Sequence, residues 1–99
     1  MSYITAYSLE FDDPDAVEEI AEALDRIGCG ELAFGYHQAD TWYEHEQDML
    51  YISEVFPGTE FILTGVGEEF PDMWKKRFVN GQVDEVRATL TWPEFPPLT

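Results

Sequence analysis

The sequence predicts an α+β fold: a two-layer sandwich of about five mostly antiparallel strands with two helices on one face, in the order β-α-β-α-β-β-β, ferredoxin-like in type. Three observations predict it. Strand-forming residues open the chain, two amphipathic helical segments interrupt the strands, and an Asn-Gly hairpin signal comes near the end. A chain of 99 residues is the length of one domain, 1–99, and residues 92–99 have the composition of an extended, proline-rich tail.

The first three elements follow from hydrophobic periodicity. Residues 2–11 place alternate aromatic and apolar side chains on one side, which is typical of a strand. Residues 13–28 carry an apolar stripe at helical spacing, with Asp13 as a candidate N-cap and Gly28 as a C-terminal stop. Residues 31–37 are interpreted as the second strand. Strand, helix and strand in that order predict a right-handed crossover.

The remaining elements rest on capping and turn signals. A second helix is predicted over 41–55, where Thr41 and Glu44 have the spacing of a capping box. Residues 59–67 are predicted to form the third strand, with Phe61 and Leu63 on one face and Ile62 and Thr64 on the other. Asn-Gly at 80–81 favours a two-residue turn between the last two strands. The proline-rich tail cannot continue a central strand.

Charge is the strongest signal in the composition. The chain has 21 acidic and 5 basic residues, a net charge of −16. Residues 1–74 contain 18 of the acids and one base, whereas residues 75–99 contain three acids and four bases. Nucleic acid and anionic membranes would be repelled, so we expect a basic protein partner. A single cysteine, no apolar run of membrane-spanning length and no signal-peptide pattern predict a cytoplasmic protein.

His45 and Glu46 resemble the start of a zinc-protease helix, but the pattern is incomplete. The position of the second ligand is Met49, and the other histidine, His37, lies on a different predicted element. No metal site, cofactor or catalytic residue is predicted, and the protein is expected not to be an enzyme. Glu46 falls within the apolar helix face, so we expect it to accept a hydrogen bond from a Trp or a backbone amide. The functional alternative for Glu46 is a general base in a pocket.

Residues 41–96 combine an aromatic-rich acidic helix, Gly-x-Gly-Glu-Glu after a strand, Asp-x-Trp, a hairpin with Asn-Gly and a Pro-x-Phe tail. This pattern resembles a group of small, largely uncharacterised proteins of phages, prophages and plasmids. The resemblance implies a mobile-element setting and a ferredoxin-like fold, and it supplies no reaction. The matching positions are Trp42, Tyr43, Glu46, Asp48, Met49, Ser53, Phe56, Pro57, Phe61, Gly65, Gly67, Glu68, Glu69, Asp72, Trp74, Phe78, Gly81, Pro93 and Phe95.

The charge and this setting together suggest DNA mimicry. Duplex DNA carries about one charge per 1.7 Å of axis, and the five acids of residues 15–25 give about one per 3 Å of helix. We therefore expect a non-enzymatic inhibitor that occupies the DNA- or RNA-binding groove of a host defence complex, of anti-CRISPR or anti-restriction type. Its partner would be a basic nucleic-acid-binding complex such as a CRISPR effector or a restriction enzyme. The expected contact residues are Asp15, Glu18, Glu19, Glu22, Asp25, Glu44, Asp48, Glu54, Glu68, Glu69 and Asp72.

Two other interpretations remain open at this stage. The protein could be an adaptor of a mobile element that binds through its hairpin, with Lys75–Arg77 beside Trp74 and Phe78. The plainer account of these bases is an edge strand whose charges discourage sheet-to-sheet pairing. The acidity could also serve solubility alone, as in halophilic proteins. The sequence sets neither the strand order nor the oligomeric state.

Overall fold

The computed structural model describes residues 3–98, in which five antiparallel strands form one open sheet beside two α-helices. The α+β class is thus confirmed. Residues 1, 2 and 99, which the predicted domain, first strand and tail include, lie outside the described residues. The elements are β1 (Thr5–Phe11), α1 (Val17–Asp25), β2 (Gln38–Asp40), α2 (His45–Val55), β3 (Phe61–Gly67), β4 (Met73–Val79) and β5 (Gln82–Arg87), with 3-10 helices at Pro14–Ala16 and Gly30–Phe34.

The strand order is β2-β1-β3-β4-β5, and every neighbouring pair is antiparallel. The ferredoxin-like arrangement is therefore not confirmed. The expected right-handed crossover is wrong, because β1 pairs directly with β2 in the antiparallel sense, with Thr5 opposite Asp40. The expectation that the bases of β4 lie on an edge strand is also wrong, since β4 lies between β3 and β5.

The predicted strand at 31–37 is mostly a 3-10 helix, Gly30–Phe34, and β2 begins only at Gln38. Consecutive side chains of a strand point to opposite faces, yet Leu32 and Ala33 are both buried in the core. Gly35 ends this turn in the left-handed region, at φ 85°. Core packing of adjacent residues has here overridden the strand preference of the aromatic residues that follow.

The ends of the two α-helices differ from those that the sequence predicts. α1 ends at Asp25, three residues before the predicted stop, and Gly28 then turns the chain at φ 82°, with its N–H donating to the carbonyl oxygen of Asp25. Asp13 makes no side-chain cap. The capping box expected of Thr41 and Glu44 is wrong as well, because α2 begins at His45 without a side-chain cap.

The core lies between the helices and one face of the sheet. β1 and β3 alternate between buried and more exposed side chains, as half-buried strands do. Phe61 and Leu63 point inward while Ile62 and Thr64 point to the open face, which confirms the predicted division of β3. The other apolar core residues are Tyr7, Leu9, Ile20, Ala21, Leu24, Cys29, Leu32, Ala33, Met49, Ile52, Trp74 and Phe78.

The Asn-Gly hairpin is confirmed. Asn80 and Gly81 have φ values of 50° and 74°, as a two-residue turn between twisted strands requires. The turn is held to α2 because the N–H of Gly81 donates to Ser53 Oγ at 2.8 Å. After β5, the described part of the tail is extended and belongs to no helix or strand. None of the helices within residues 3–98 combines the length and the apolar character needed to cross a bilayer.

Candidate functional site

The predicted contact residues of α1 form an exposed acidic row. The apolar stripe of the helix faces the core, which leaves Glu18, Glu19 and Glu22 exposed on the other side. Asp15 in the preceding 3-10 turn and Asp25 at the helix end are also exposed. The one basic residue nearby is Arg26, whose Nη2 lies 3.5 Å from Glu22 Oε1 in a largely solvated pair.

The acids of α2 have different roles. Glu44 and Glu54 are exposed at the two ends of the helix. Asp48 is half-buried, and its Oδ2 accepts a hydrogen bond from the indole N–H of Trp42 at 2.7 Å. Asp48 also lines a groove between the two helices, together with Ile27 and Arg26 of the α1 end. It therefore fixes Trp42 rather than standing free for a partner.

The acids of the β3–β4 connection hold the N-terminal residues in place. Glu68 accepts a hydrogen bond from the N–H of Ile4 at 3.1 Å. Asp72 accepts from the hydroxyl of Tyr3 at 2.6 Å and from Arg87 Nη1 at 3.2 Å. The Tyr3 hydrogen bond, more than the Arg87 contact, lowers the pKa of the Asp72 carboxyl. Of the predicted contact residues here, Glu69 is exposed and makes its hydrogen bonds through the backbone: its N–H donates to the Tyr3 hydroxyl, and its carbonyl oxygen accepts from the N–H of Asp72.

An acidic groove beside α1 contains a residue that the sequence analysis missed. Glu18, Glu22 and Asp25 line it from the helix, and Glu31 and Phe34 line it from the 3-10 helix that follows. Its volume is about 360 Å³, and Phe34 is exposed at its side. Glu31 was missed because 31–37 was interpreted as a strand. The signal was the helical spacing of Cys29, Leu32 and Ala33, which places Glu31 on the outside.

Most of the basic side chains form ion pairs with acidic side chains of the same chain. Arg26 pairs with Glu22, Lys76 with Glu46 and Glu85, Arg77 with Asp84, and Arg87 with Asp72 and Glu85. Within residues 3–98, only Lys75 has no carboxylate oxygen within 4.0 Å. The acids that remain therefore set a negative potential over the helical side of the molecule.

His45 belongs to a buried aromatic cluster. Its ring stacks on Trp74 with centroids 5.0 Å apart. Nδ1 lies 3.0 Å from the carbonyl oxygen of Trp42, and Nε2 lies 2.8 Å from Lys76 Nζ. A carbonyl only accepts and an ammonium only donates, so the ring is neutral with its proton on Nδ1. Burial, with a contribution from the Lys76 charge, lowers the pKa of His45.

Glu46 does not have the predicted partner. Its Oε1 lies 3.4 Å from Lys76 Nζ, and the side chain is about half exposed, whereas the indole of Trp42 bonds Asp48. Trp74, Lys76 and Phe78 face the helices and are buried, so the hairpin surface expected of an adaptor is not formed as predicted.

The imidazole of His45 and the thiol of Cys29 are both held within the fold. Both ring nitrogens of His45 are engaged, so no lone pair is free for a metal ion while the ring keeps these partners. Burial raises the pKa of the Cys29 thiol to about 11, so the thiol is protonated at neutral pH. Among residues 3–98, no three His, Cys, Asp or Glu side chains are grouped so as to hold a metal ion.

Acid is expected to weaken the His45 cluster. Because the folded-state pKa lies below the ordinary value of about 6.5, the unfolded chain binds this proton first as the pH falls. The stability contributed by neutral His45 is thus complete above about pH 6.5 and is lost as the pH falls through the lowered pKa. Urea unfolding of wild type and His45→Gln should show a stability difference that narrows between about pH 7.5 and pH 5.

The comparison of wild type with His45→Gln isolates the contribution of His45 from that of the carboxylates, because the carboxylates are the same in both proteins. His37→Gln serves as the control, since His37 is exposed on the chain before β2. A difference between wild type and His45→Gln that stays constant or widens with acid would contradict the neutral assignment.

Comparison with protein-family models, curated proteins and solved structures finds no match to this chain. The resemblance to small proteins of phages and plasmids therefore stays a prediction.

Proposed function

We propose that the protein is a non-enzymatic inhibitor whose acidic helical side occupies a basic groove that another protein uses for DNA or RNA. The observation that carries the proposal is the acidic row of α1, which is exposed along its whole length and is opposed by the single base Arg26. The internal pairing of the other bases supports it, because those bases do not dilute the field on this side.

The acidic groove gives this surface a shape as well as a charge. Carboxylates on both walls would accept hydrogen bonds from Arg and Lys side chains, and Phe34 offers an apolar contact to their stems or a cation–π contact to their charged groups. The contact surface is accordingly centred on Glu18, Glu22, Asp25 and Glu31. The acids that hold Trp42, Ile4 and Tyr3 would contribute to the potential rather than to direct contacts. A defence complex of CRISPR or restriction type is the kind of partner that the predicted mobile-element setting favours.

Reversing charge on α1 is expected to weaken partner capture strongly. Glu18→Lys with Glu22→Lys should weaken binding by at least about tenfold, since close charge pairs across an interface are typically worth more than 1.4 kcal/mol. The measurement is capture from a bacterial lysate at about 0.15 M and about 0.5 M salt, with duplex DNA as competitor. Wild type should capture a nucleic-acid-handling complex that salt and DNA both displace.

The control is Glu10→Lys with Asp40→Lys, which changes the net charge equally but on β1 and β2, where both side chains are exposed. Equal loss with both double variants would show that net charge alone matters. Partner capture that persists at about 0.5 M salt and in the presence of duplex DNA would contradict the mimicry proposal.

A further inference from the structure

The C-terminal tail presents large apolar side chains to solvent. It leaves the sheet after Ala88, whose N–H makes the last bond to β4, at 2.9 Å to the carbonyl oxygen of Met73. Beyond this point Trp92 is 81% exposed, Phe95 is 97% exposed and Leu98 is fully exposed. Aromatic side chains of this size ordinarily dominate the burial in cores and interfaces. Nothing in the described chain covers them, so the tail has the features of a segment that binds elsewhere.

The spacing of these side chains gives the tail one apolar edge. Trp92, Phe95 and Leu98 recur every three residues, and the prolines at 93, 96 and 97 fix φ near about −65°. A polyproline II helix has about three residues per turn and rises about 3.1 Å per residue. In that conformation the three side chains align on one edge, about 9 Å apart. Between the first two stands Glu94, the only charged residue of 88–98.

The open face of the sheet, on the side away from the helices, is a surface of matching chemistry. Two grooves adjoin there, and both are lined by Lys75 and Val86. One groove, of about 190 Å³, also contacts Met73 and Ala88. The other, of about 430 Å³, also contacts Ile62 and is lined as well by the charged side chains Glu60, Arg77 and Asp84. Lys75 is the base that has no carboxylate partner among residues 3–98.

We propose that the open face of one copy binds the C-terminal tail of a second copy, in a reciprocal dimer with two-fold symmetry. Trp92 and Phe95 occupy the adjoining grooves, and Glu94 of the tail pairs with Lys75 of the other copy. The tail supplies apolar side chains and the negative charge of Glu94. The open face supplies apolar side chains and the positive charge of Lys75. The open face also carries Lys75 and Arg77, so two copies of net charge −16 repel each other less there than at the acidic row of α1.

The shape of the chain favours a second copy over the tail's own sheet. The molecule measures 60 × 35 × 22 Å with a radius of gyration of 16.2 Å, against about 13 Å for a compact chain of this length. The long dimension and the exposure of Trp92, Phe95 and Leu98 indicate that the tail projects from the sheet after Ala88, so it would have to reverse direction to cover its own open face. A neighbouring copy can receive it without that reversal.

The area available is that of a stable interface. An aromatic side chain buries about 150–250 Å², so the four aromatics of two tails bury about 600–1,000 Å². The sheet surface that they cover roughly doubles this area, which reaches the 1,200–2,000 Å² typical of specific interfaces. The dimer is independent of the proposed inhibitor function, because it uses the face opposite the helices.

Light scattering coupled to size-exclusion chromatography tests the dimer at about 0.3 M salt, which screens the repulsion between copies. Wild type should elute at twice the monomer mass, and Trp92→Ala with Phe95→Ala should be a monomer. Lys75→Glu and Glu94→Lys should each weaken dimerisation by at least about tenfold. The double variant with both charge changes should restore it, because the pair is then formed in reverse.

Restoration by the double charge swap separates a specific contact from a general effect of net charge. Folding is not at issue in this test, since Lys75, Glu94 and the tail aromatics all lie outside the core. A monomeric wild type at about 100 μM, a dimer that survives loss of both aromatics, or a double variant that stays monomeric would each overturn the proposal. A monomer in which Trp92 is shielded from solvent quenchers would show that the tail covers its own sheet, and would overturn it as well.

Discussion

Replacement of Gly65 by valine is expected to cost more than about 3 kcal/mol of unfolding free energy, a large part of the stability of a small domain. Gly65 lies on the core side of β3, opposite Trp74 of β4. A Cβ atom at this position would stand 2.3 Å from Cζ2 of the Trp74 ring, a distance that no side chain tolerates. The ring has little freedom to retreat, because it stacks on His45 and meets Tyr7 edge-on at 6.1 Å.

Urea unfolding monitored by circular dichroism measures this cost, and two further variants locate its cause. Thr64→Val changes the neighbouring residue on the open face and should alter stability by no more than about 0.5 kcal/mol. Gly65→Ala combined with Trp74→Leu should be more stable than the sum of the single changes predicts, since the smaller side chain makes room. Strict additivity of that pair, or a wild-type stability for Gly65→Val, would refute the close packing of Gly65 and Trp74.

Replacement of Lys76 by glutamate is expected to destabilise the protein by about 3–5 kcal/mol. Lys76 is buried on the core side of β4, with Nζ 3.4 Å from Glu46, 3.7 Å from Glu85 and 4.9 Å from the ring centre of Trp74. A glutamate would bring a third carboxylate to two that already meet there, and at this buried position water screens the repulsion only in part.

Lys76→Met separates the charge from the packing. Methionine keeps most of the aliphatic stem, and Glu46 and Glu85 stay partly solvated, so we expect a loss of only about 1 kcal/mol. Loss of the positive charge should also raise the pKa of His45, which NMR titration of the ring can follow.

Lys75→Glu at dilute protein is the matched control, since it makes the same charge change on an exposed neighbour. A cost for Lys76→Glu no greater than that of Lys75→Glu would contradict a specific role for the buried cation. Urea midpoints of the three variants decide between these outcomes.

Local sequence patterns correctly predicted those elements in which the local conformational preference agrees with the tertiary packing. The alternation of β1 and β3 and the Asn80–Gly81 turn could be recognised because one side of each strand is buried and a two-residue turn admits few residue types. The 31–37 segment was misassigned, because its aromatic residues favour a strand while its core contacts come from Leu32 and Ala33 together.

The site residues show a similar division. The acidic row of α1 follows from helical spacing alone, and the structure bears out its exposure. Lys76 is buried because it alternates with Trp74 and Phe78 on the core side of β4, whereas the sequence interpretation grouped it with the exposed bases Lys75 and Arg77. The partners of Lys76 could not be predicted, because His45 and Glu46 reach it from α2. No local sequence pattern specifies how a helix packs on a sheet. The bond between Tyr3 and Asp72 spans 69 residues and is likewise a product of the strand order.

The place of β1 in the sheet has a consequence for synthesis of the chain on the ribosome. β3, β4 and β5 follow one another directly, but β1 pairs with β3 across about fifty residues, with Phe11 opposite Phe61. At about 5–20 residues per second, the strand made first waits about 3–10 s for its partner to be made. During that interval its apolar side chains are exposed on a nascent chain in which acids greatly outnumber bases. Repulsion between nascent chains of like charge then opposes their aggregation until β3 arrives.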